Sequence, residues 1–260
     1  SGMAERYHQR FFNMVEMPEG TTLEIATNRI AGFNVAGPKS REMLQRLTNA
    51  DLSNAAFRFM RSRTIEVAGV TALAIRVSFT GDLGWELHCA EADQVRLYTA
   101  LLDAAKEFGG GPVGGRALGS LRIEKGYGSW GREYSQEYWP QEVGLDALIK
   151  LDKDFLHKEA YLKVKDNAPR EVLRVFEVDA VNDADASGGE PIFTPEGKPV
   201  GRVTSGAHGY HVGKSLAVGY ANPAIAGPGD AVEVFILGKP HKARILEHAP
   251  FDPEGQRLRS

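Results

Sequence analysis

The sequence predicts an α+β protein, in which an antiparallel sheet with packed helices is followed by a small C-terminal β-barrel. Residues 70–88 have the pattern of two strands joined by a turn. Two segments with helical character follow, over 91–108 and 115–125. After Pro169 the chain changes to short apolar segments separated by Gly and Pro, which indicates a small barrel or a sandwich.

The N-terminal elements follow from hydrophobic spacing and from the positions of Gly and Pro. Pro38 suits the first position of a helix, because its missing N–H is not needed there. Gly and Pro near residues 18–20 and 37–38 separate the segments. The predicted elements are a helix over 4–17, short strands over 21–26 and 30–35, a helix over 39–47 and a strand over 62–68.

The central feature is a predicted hairpin whose first strand covers 70–79 and whose loop has five or six residues. In its second strand, successive side chains point to opposite faces of the sheet. Trp85 and Leu87 are therefore expected on one face. Glu86 and His88 are expected on the other face.

Glu86 is the candidate ligand-binding residue of this hairpin, because a carboxylate between Trp and Leu is costly to desolvate unless a donor pairs with it. One interpretation is an exposed strand residue that pairs with a nearby arginine. The other is a carboxylate that receives two hydrogen bonds from a planar heterocycle with adjacent ring N–H and amino groups, such as a pterin.

The clearest predicted helix covers 91–108, and a run of three glycines and a proline ends it. Its apolar residues form one broad stripe. The stripe contains Val95, Leu97, Tyr98, Leu101, Leu102 and Ala105.

A domain boundary is predicted at the cluster Asp-Asn-Ala-Pro over 166–169. The N-terminal α+β domain would then cover 1–165 and the barrel domain 166–260. The barrel strands are predicted over 171–178, 191–193, 198–204, 214–221, 231–237 and 241–247.

Composition excludes several classes of function. A formal net charge of −3 gives no basic excess for a nucleic-acid backbone, so nucleic acid is not expected as a partner. No apolar run approaches the roughly 18 residues that span a bilayer, so no membrane association is expected. The single cysteine, Cys89, fits a reducing, cytoplasmic compartment and is expected to be a small buried apolar residue.

Three local motifs are rejected as functional sites. The Gly-x-Gly-x-x-Gly pattern over 126–131 follows a predicted helix, whereas a dinucleotide site needs a preceding strand. Its glycines are expected to allow a tight turn or the approach of a ligand. Gly213-Lys214-Ser215 lacks the rest of a phosphate-binding loop. No metal site is expected from His208, His211, Asp183 and Asp185, because the spacing is common and the glycines indicate loops.

Two further groups have two interpretations each. Arg122 and Glu124 on the second helix form either a surface pair or packing contact, or part of a ligand site. The aromatic residues around 130–139 either pack in the core or form a wall of a pocket. This aromatic group consists of Trp130, Tyr134, Tyr138 and Trp139.

Several stretches together resemble the aminomethyltransferase family, which is the T-protein of glycine cleavage and its relatives. The resemblance covers roughly residues 25–250. It is closest to the C-terminal folate-binding region of dimethylglycine and sarcosine dehydrogenases. The stretches are Ala74–His88, Val35–Ser40, Ala117–Gly126, Val203–Gly206 and Gly213–Ser215, in matching order and spacing.

The resemblance implies a tetrahydrofolate site. Glu86 would hold the pterin ring, while Phe79 and Trp85 would shape the pocket. Arg122 would meet the anionic glutamyl tail of the cofactor through its planar donor fork. The full set of expected cofactor-binding residues is Glu86, Phe79, Trp85, Arg122, His88 and Trp130, with no metal ligand and no assigned catalytic residue.

The family's catalytic aspartate, which follows a glycine-rich stretch, has no match in the sequence. Glu24 is a poor substitute because it lies in an ordinary strand pattern. No FAD-binding segment is recognised either, so FAD is expected only if the chain belongs to a larger fused protein. The sequence is therefore expected to be an N-terminally truncated or divergent relative, and catalytically incomplete.

The expected function is tetrahydrofolate-dependent transfer of a one-carbon unit from an N-methylated glycine, which gives 5,10-methylenetetrahydrofolate. The expected partners are folate, a small methylated amine or aminomethyl donor, and an N-terminal flavoprotein region. One alternative is a demethylase that transfers a methyl group to tetrahydrofolate. The other is a non-catalytic folate-binding or docking module of a larger flavoenzyme.

Overall fold

The computed structural model describes residues 4–179 and 184–260. The predicted α+β class is confirmed: an antiparallel sheet with helices is followed along the chain by a closed β-barrel. The helices are α1 Ala4–Phe12, α2 Ser40–Gln45, α3 Gln94–Glu107, α4 Gly115–Glu124, α5 Lys158–Leu162 and α6 Gln256–Arg259. The strands are β1 Ile30–Ala36, β2 Ser62–Val67, β3 Val70–Ile75, β4 Gly84–Ala90, β5 Val172–Val178, β6 Pro191–Phe193, β7 Pro199–Gly209, β8 Lys214–Ala221, β9 Ala231–Ile236 and β10 Lys239–Ile245.

The chain divides into two compact units. The first contains the described residues up to Ser78, then Leu83–Pro112 and Arg259. The second contains Phe79–Asp82, the described residues of Val113–Leu258, and Ser260. The predicted domain boundary between residues 165 and 166 stays a prediction.

The first unit is built on a four-stranded antiparallel sheet with the order β1-β4-β3-β2. Helices α2 and α3 bury Met43, Leu44, Leu97 and Leu101 in the same core as the inward residues of β3 and β4. Because side chains alternate between the two faces of β4, Trp85, Leu87 and Cys89 point into this core, which confirms the predicted face and the apolar environment of the cysteine.

The second unit contains a closed barrel with the strand order β10-β5-β8-β7-β6-β9. Its interior is apolar and includes Phe176, Val203 and Ile245. Helix α4 lies outside the barrel, where Ile123 packs with Leu216 and neighbouring apolar residues. On the same helix, Ser120 donates to the His208 carbonyl and Arg122 donates to Ser205, both on β7.

Four predicted features of the first unit were wrong. The first helix ends at Phe12 rather than 17, and residues 21–26 form no strand in the described structure, since they pair with no neighbouring strand. On α3, Val95 and Tyr98 are exposed, so its buried stripe is narrower than predicted.

The fourth error concerns the central hairpin. Its first strand ends at Ile75, because the Val77 N–H donates to the Ile75 carbonyl, which removes Val77 from the ladder. Arg76 is buried, and its guanidinium donates to Asn54 and to the Phe57 carbonyl, both at 2.6 Å. The connection therefore spans residues 76–83, which is longer than predicted.

Candidate functional site

Glu86 and His88 lie together on the face of β4 opposite the core. His88 Nε2 is 3.3 Å from Glu86 Oε2, and the two side chains are 33% and 40% exposed. Within the described part of the chain, the Glu86 side chain makes this one hydrogen bond, through Oε2, and its Oε1 has no partner. A half-exposed carboxylate with one uncommitted oxygen is thus presented on a rigid strand.

The neighbouring strand β1 makes room for this pair. In the β1–β4 ladder, Asn34 lies opposite Glu86 and Gly32 lies opposite His88. A Cβ atom on Gly32 would lie 3.1 Å from His88 Nδ1, which is closer than ordinary contact. The absence of a side chain at Gly32 therefore allows the imidazole to lie across β1, beside Glu86.

Trp85 points to the other face of β4 and is fully buried. Two guanidinium groups lie over its ring, with the Cζ atoms of Arg41 and Arg76 at 5.7 and 5.6 Å from the ring centroid. Cation–π contacts of this kind are strongest when they are desolvated. Trp85 is thus a core residue of the first unit, and a part in shaping a folate pocket stays a prediction.

Phe79 belongs to the second unit, in which its ring stacks on that of Tyr127. The ring centroids are 6.5 Å apart with an interplanar angle of 23°. Phe79 is only partly buried, so part of the ring remains accessible. Tyr127 was not recognised from the sequence, although it follows directly on the stretch that carries the family resemblance.

Arg122 lies within the second unit and is only 5% exposed. Its Nη1 donates to the Tyr127 carbonyl at 2.9 Å and to Glu133 Oε2 at 3.2 Å. Its Nη2 donates to Ser205 Oγ at 2.6 Å. Both terminal nitrogens of Arg122 are thus used in hydrogen bonds within the protein, which indicates a structural role. Contact with the glutamyl tail of the cofactor stays a prediction.

Glu133 is the buried partner of Arg122 and is fully enclosed. Burial alone would raise its pKa, but hydrogen bonds from Ser205, Thr204 and Ser129, with the charge of Arg122, outweigh burial and lower the pKa. Sequence reasoning missed Glu133, for which no pattern stands out. Thr204 and Ser205, in contrast, lie in one of the stretches that carry the resemblance.

Glu124 is also buried, so the interpretation of Arg122 and Glu124 as a surface pair was wrong. Glu124 does not pair with Arg122. Its Oε1 accepts hydrogen bonds from the backbone N–H groups of His211 and Val212, at 2.6 and 3.3 Å. This carboxylate therefore holds the loop between β7 and β8 against α4.

The glycine motif over 126–131 forms a tight loop around Glu133. A Cβ on Gly128 would lie 2.7 Å from the Tyr134 ring and 2.8 Å from Glu133 Cβ. Gly126 and Gly131 have positive φ values of 70° and 82°, which glycine adopts at little cost. The motif thus serves a turn, in agreement with its rejection as a dinucleotide site.

The aromatic residues near this loop have different environments. Tyr138 stacks on Tyr220 with ring centroids 3.7 Å apart, and Trp139 lies under the guanidinium of Arg170. Trp130, in contrast, is 45% exposed. Tyr138 and Trp139 thus make packing contacts, whereas an accessible Trp130 is compatible with the pocket wall that was predicted.

Acid is expected to destabilise the protein through Glu142, which is buried and accepts hydrogen bonds from Arg170 and from the Trp139 N–H. Burial would raise its pKa, but these bonds outweigh burial and lower it. A carboxyl with a lowered folded pKa stabilises the fold above its unfolded value of about 4.3, and loses that contribution as pH falls through the folded pKa.

This expectation is tested by urea unfolding of the wild type and of Glu142→Gln at several pH values between about 7 and 3. The variant should be less stable at neutral pH, and its free energy of unfolding should fall less steeply with acid. Exposed Glu66 provides the matched control, Glu66→Gln. Parallel curves for the wild type and Glu142→Gln would show that Glu142 does not contribute to the acid transition.

The described residues contain no group of three or more His, Cys, Asp or Glu side chains placed to hold a metal ion. Asp185 accepts a hydrogen bond from Ser215 Oγ at 2.6 Å. Asp183, which was considered with it, lies outside the described residues. In the described part of the chain, no helix combines the length and the apolar character needed to cross a bilayer.

Comparison with protein families gives two matches along the chain. Residues 2–153 match the model described as the GCVT N-terminal domain. Residues 172–252 match the glycine cleavage T-protein C-terminal barrel domain. The second match falls on the part of the chain that forms the closed barrel.

Comparison with curated proteins gives relatives that include a dehydrogenase and an aminomethyltransferase. Dimethylglycine dehydrogenase, mitochondrial, from Mus musculus is 37% identical over 248 residues, which cover 94% of this chain and 28% of that protein. Aminomethyltransferase from Caldanaerobacter subterraneus subsp. tengcongensis is 32% identical over 226 residues, which cover 86% of this chain and 59% of that protein. The chain therefore spans a little over a quarter of the length of the dehydrogenase.

Among solved structures, the glycine cleavage system aminomethyltransferase T from Bartonella henselae has the same fold. Its TM-score is 0.75 at 21% sequence identity, over 86% of this chain and 60% of that chain. At this identity the likeness concerns the fold alone, which agrees with the arrangement of sheet, helices and barrel described above.

Proposed function

Because the chain belongs to the glycine cleavage T-protein family, we propose that it binds tetrahydrofolate and acts in the transfer of a one-carbon group to it. The matched relatives include enzymes of this family, an aminomethyltransferase and a dimethylglycine dehydrogenase. An aminomethyltransferase-type activity is the form of this function that the family supports best.

The observation that carries the proposal is the carboxylate of Glu86. It lies on a rigid strand, it is 40% exposed, and its Oε1 is uncommitted among the described residues. A pterin presents a ring N–H and an amino group side by side, which match the two oxygens of one carboxylate. Charge-assisted pairs of this kind are roughly twice as strong as neutral hydrogen bonds, so the residue types present fit the cofactor.

The protein's contribution would be orientation and proton management rather than covalent chemistry. When bound, tetrahydrofolate supplies the N5 and N10 amines that capture an aminomethyl or iminium carbon as 5,10-methylenetetrahydrofolate. Glu86 would hold the pterin, with His88 beside it at 3.3 Å to orient the carboxylate. Phe79 is only partly buried and Trp130 is 45% exposed, so each stays a candidate for contact with the cofactor.

The donor of the carbon is proposed to be an N-methylated glycine or a related small amine. The support is the similarity to dimethylglycine dehydrogenase, of which the chain matches 28%. A flavoprotein region carrying FAD would act with this region in a protein of that length. The buried single thiol Cys89 is compatible with the cytoplasmic location that was predicted.

Replacement of Glu86 with glutamine is expected to weaken tetrahydrofolate binding by about 1.5–3 kcal/mol, the scale of a hydrogen bond to a charged group. This corresponds to a rise in Kd of roughly 10- to 150-fold. Glutamine keeps the size of the side chain but loses the charge and one acceptor. The measurement is a titration with tetrahydrofolate under reducing conditions, followed by tryptophan fluorescence.

Glu66→Gln is the matched control, because Glu66 is exposed on β2 of the same sheet. Equal affinity of the wild type and Glu86→Gln for tetrahydrofolate would contradict the assignment of Glu86 as the residue that binds the pterin. Mass analysis of the folate product distinguishes the alternatives that share the site: a methylene product supports aminomethyl transfer, and a methyl product supports the demethylase. Binding without turnover in the presence of donor favours the docking module.

A further inference from the structure

The loop that carries Phe79 is part of the second compact unit. Residues Phe79–Asp82 belong to that unit, although the strands before and after them, β3 and β4, belong to the first. The loop therefore packs mainly with residues of the second unit. Contacts of this kind are present at Phe79, at Gly81 and at Asp82.

The contact at Asp82 is an ion pair. Arg257 Nε lies 3.2 Å from Asp82 Oδ1, and the carboxylate side chain is only 9% exposed. The two groups do not have the geometry of a hydrogen bond. Asp82 Oδ1 is therefore buried, and its contact with Arg257 is electrostatic only. Arg257 in turn lies over the ring of Phe251, with Cζ 5.1 Å from the ring centroid. One side chain thus links the loop to the C-terminal segment.

A second ion pair, between Lys125 and Asp252, lies next to Gly81. Lys125 Nζ donates to the Asp252 backbone carbonyl and lies 3.4 Å from Asp252 Oδ2, and the two side chains are 5% and 9% exposed. A Cβ on Gly81 would lie 2.6 Å from Lys125 Cδ, and Gly81 has a φ of 84°. The backbone of the loop therefore packs directly on the aliphatic part of Lys125.

The two ion pairs are joined through Asp252. Its carboxylate accepts hydrogen bonds from the backbone N–H groups of Gln256 and Arg257, at 2.9 and 3.1 Å. Asp252 thereby fixes the short turn from which the Arg257 side chain extends to Asp82. We call this arrangement of Asp82, Lys125, Asp252 and Arg257 the loop clamp.

We propose that the loop clamp makes Asp82 and Arg257 positioning residues, which hold Phe79 against Tyr127 in the orientation that the folate site requires. This inference rests on the proposed function. Two acidic and two basic side chains leave the clamp without net charge, and three of the four are at most 9% exposed. Asp82 and Arg257, which lie outside the predicted site, would in this way control the affinity of that site for tetrahydrofolate.

A role in overall stability alone explains the clamp less well. For the Lys125–Asp252 pair, whose side chains are 5% and 9% exposed, removing two charges from water costs several kcal/mol, so this pair is weak support for stability. The Asp82–Arg257 pair contributes little as well, because the Arg257 side chain is 43% exposed. An apolar contact of the same size would stabilise the loop equally well or better. An ion pair, however, requires an oppositely charged partner at that place, so it favours the position of the loop in which Asp82 meets Arg257.

The first measurement is hydrogen–deuterium exchange of the loop amides over 78–84, without ligand. Asp82→Asn and, separately, Arg257→Gln are expected to raise exchange in the loop by about tenfold, with little change in the barrel strands, because opening would be local. Asp82→Glu/Arg257→Lys, which keeps both charges, should restore part of the protection. Unchanged loop exchange in both single variants would overturn the clamp.

The second measurement is a double-mutant cycle on the Kd for tetrahydrofolate. Asp82→Asn and Phe79→Leu are each expected to raise the Kd about three- to tenfold, and the double variant no more than Phe79→Leu alone, because Asp82 acts through Phe79. Effects that simply multiply would show that Asp82 acts elsewhere, and would overturn the positioning role.

Glu177→Gln is the control, because Glu177 forms an exposed ion pair with Lys214 in the same unit, at 2.6 Å. It should change neither loop exchange nor the Kd. If the wild type binds tetrahydrofolate and Asp82→Asn binds it equally well, the inference fails while the proposed function stands. If the wild type itself does not bind, the proposed function fails and the positioning role fails with it.

Discussion

Replacement of Arg122 with methionine is expected to lower the free energy of unfolding by about 3–5 kcal/mol, the usual cost of removing one partner of a buried ion pair. Methionine fills much of the space of the arginine stem but provides no donor. Glu133 would then remain as a fully buried carboxylate whose remaining partners are hydroxyl and amide groups. The Tyr127 carbonyl and Ser205 hydroxyl would each lose a donor as well.

The measurement is urea denaturation of the wild type, Arg122→Met and the double variant Arg122→Met/Glu133→Leu. The double variant should recover a large part of the loss, because no unpaired charge remains in it. Lys106→Met is the control, since Lys106 pairs with Asp103 on the exposed surface of α3 and such pairs contribute little. A loss below about 1 kcal/mol in Arg122→Met would contradict the geometry described here.

The same variant separates the two roles considered for Arg122. If it meets the glutamyl tail of the cofactor, Arg122→Met should weaken binding of tetrahydrofolate but not of tetrahydropteroate, which lacks the tail. If it organises the loop around Glu133, both ligands should lose affinity by a similar factor. The internal contacts of both terminal nitrogens lead us to expect the second result.

Replacement of Trp85 with alanine is expected to cost about 3–5 kcal/mol of the free energy of unfolding, as for other large-to-small changes of buried aromatic residues. The indole is fully buried, and its loss leaves a cavity beside Leu87 and other core residues of the first unit. The two guanidinium groups that face the ring, from Arg41 and Arg76, lose their cation–π contacts at the same time.

Thermal or urea unfolding measures this cost, and Trp130→Ala is the matched control. Trp130 is 45% exposed, so its truncation should change stability by less than about 1 kcal/mol. If Trp130 is a wall of the pocket, Trp130→Ala should weaken tetrahydrofolate binding without unfolding the protein. Trp85→Ala with unchanged stability would contradict the core position of the indole.

The sequence predicted the hairpin face on which Glu86 lies because that prediction depends on local alternation alone. Side chains in a strand alternate between faces, and apolar residues take the buried face. Trp85 and Leu87 are buried, and Glu86 and His88 share the accessible face. The α+β class was predictable for the same reason, since the spacing of apolar residues and the Gly and Pro positions define elements one at a time.

The sequence did not predict where polar side chains would become buried. Arg122 and Glu124 are charged residues of a helix, which usually lie at the surface, yet both are buried with different partners. The end of β3 was also misplaced, because an inward-turned Arg76 cannot be recognised from hydrophobic periodicity.

The sequence alone was sufficient to predict three features: the fold class, the strand that carries Glu86, and the family to which the chain belongs. The three-dimensional structure was needed to show that Arg122 pairs with Glu133 and Ser205, and that Asp82 meets Arg257. The reason is physical. Alternation and turn chemistry act over a few residues, whereas the partner of a buried charge is set by packing between segments far apart in the chain.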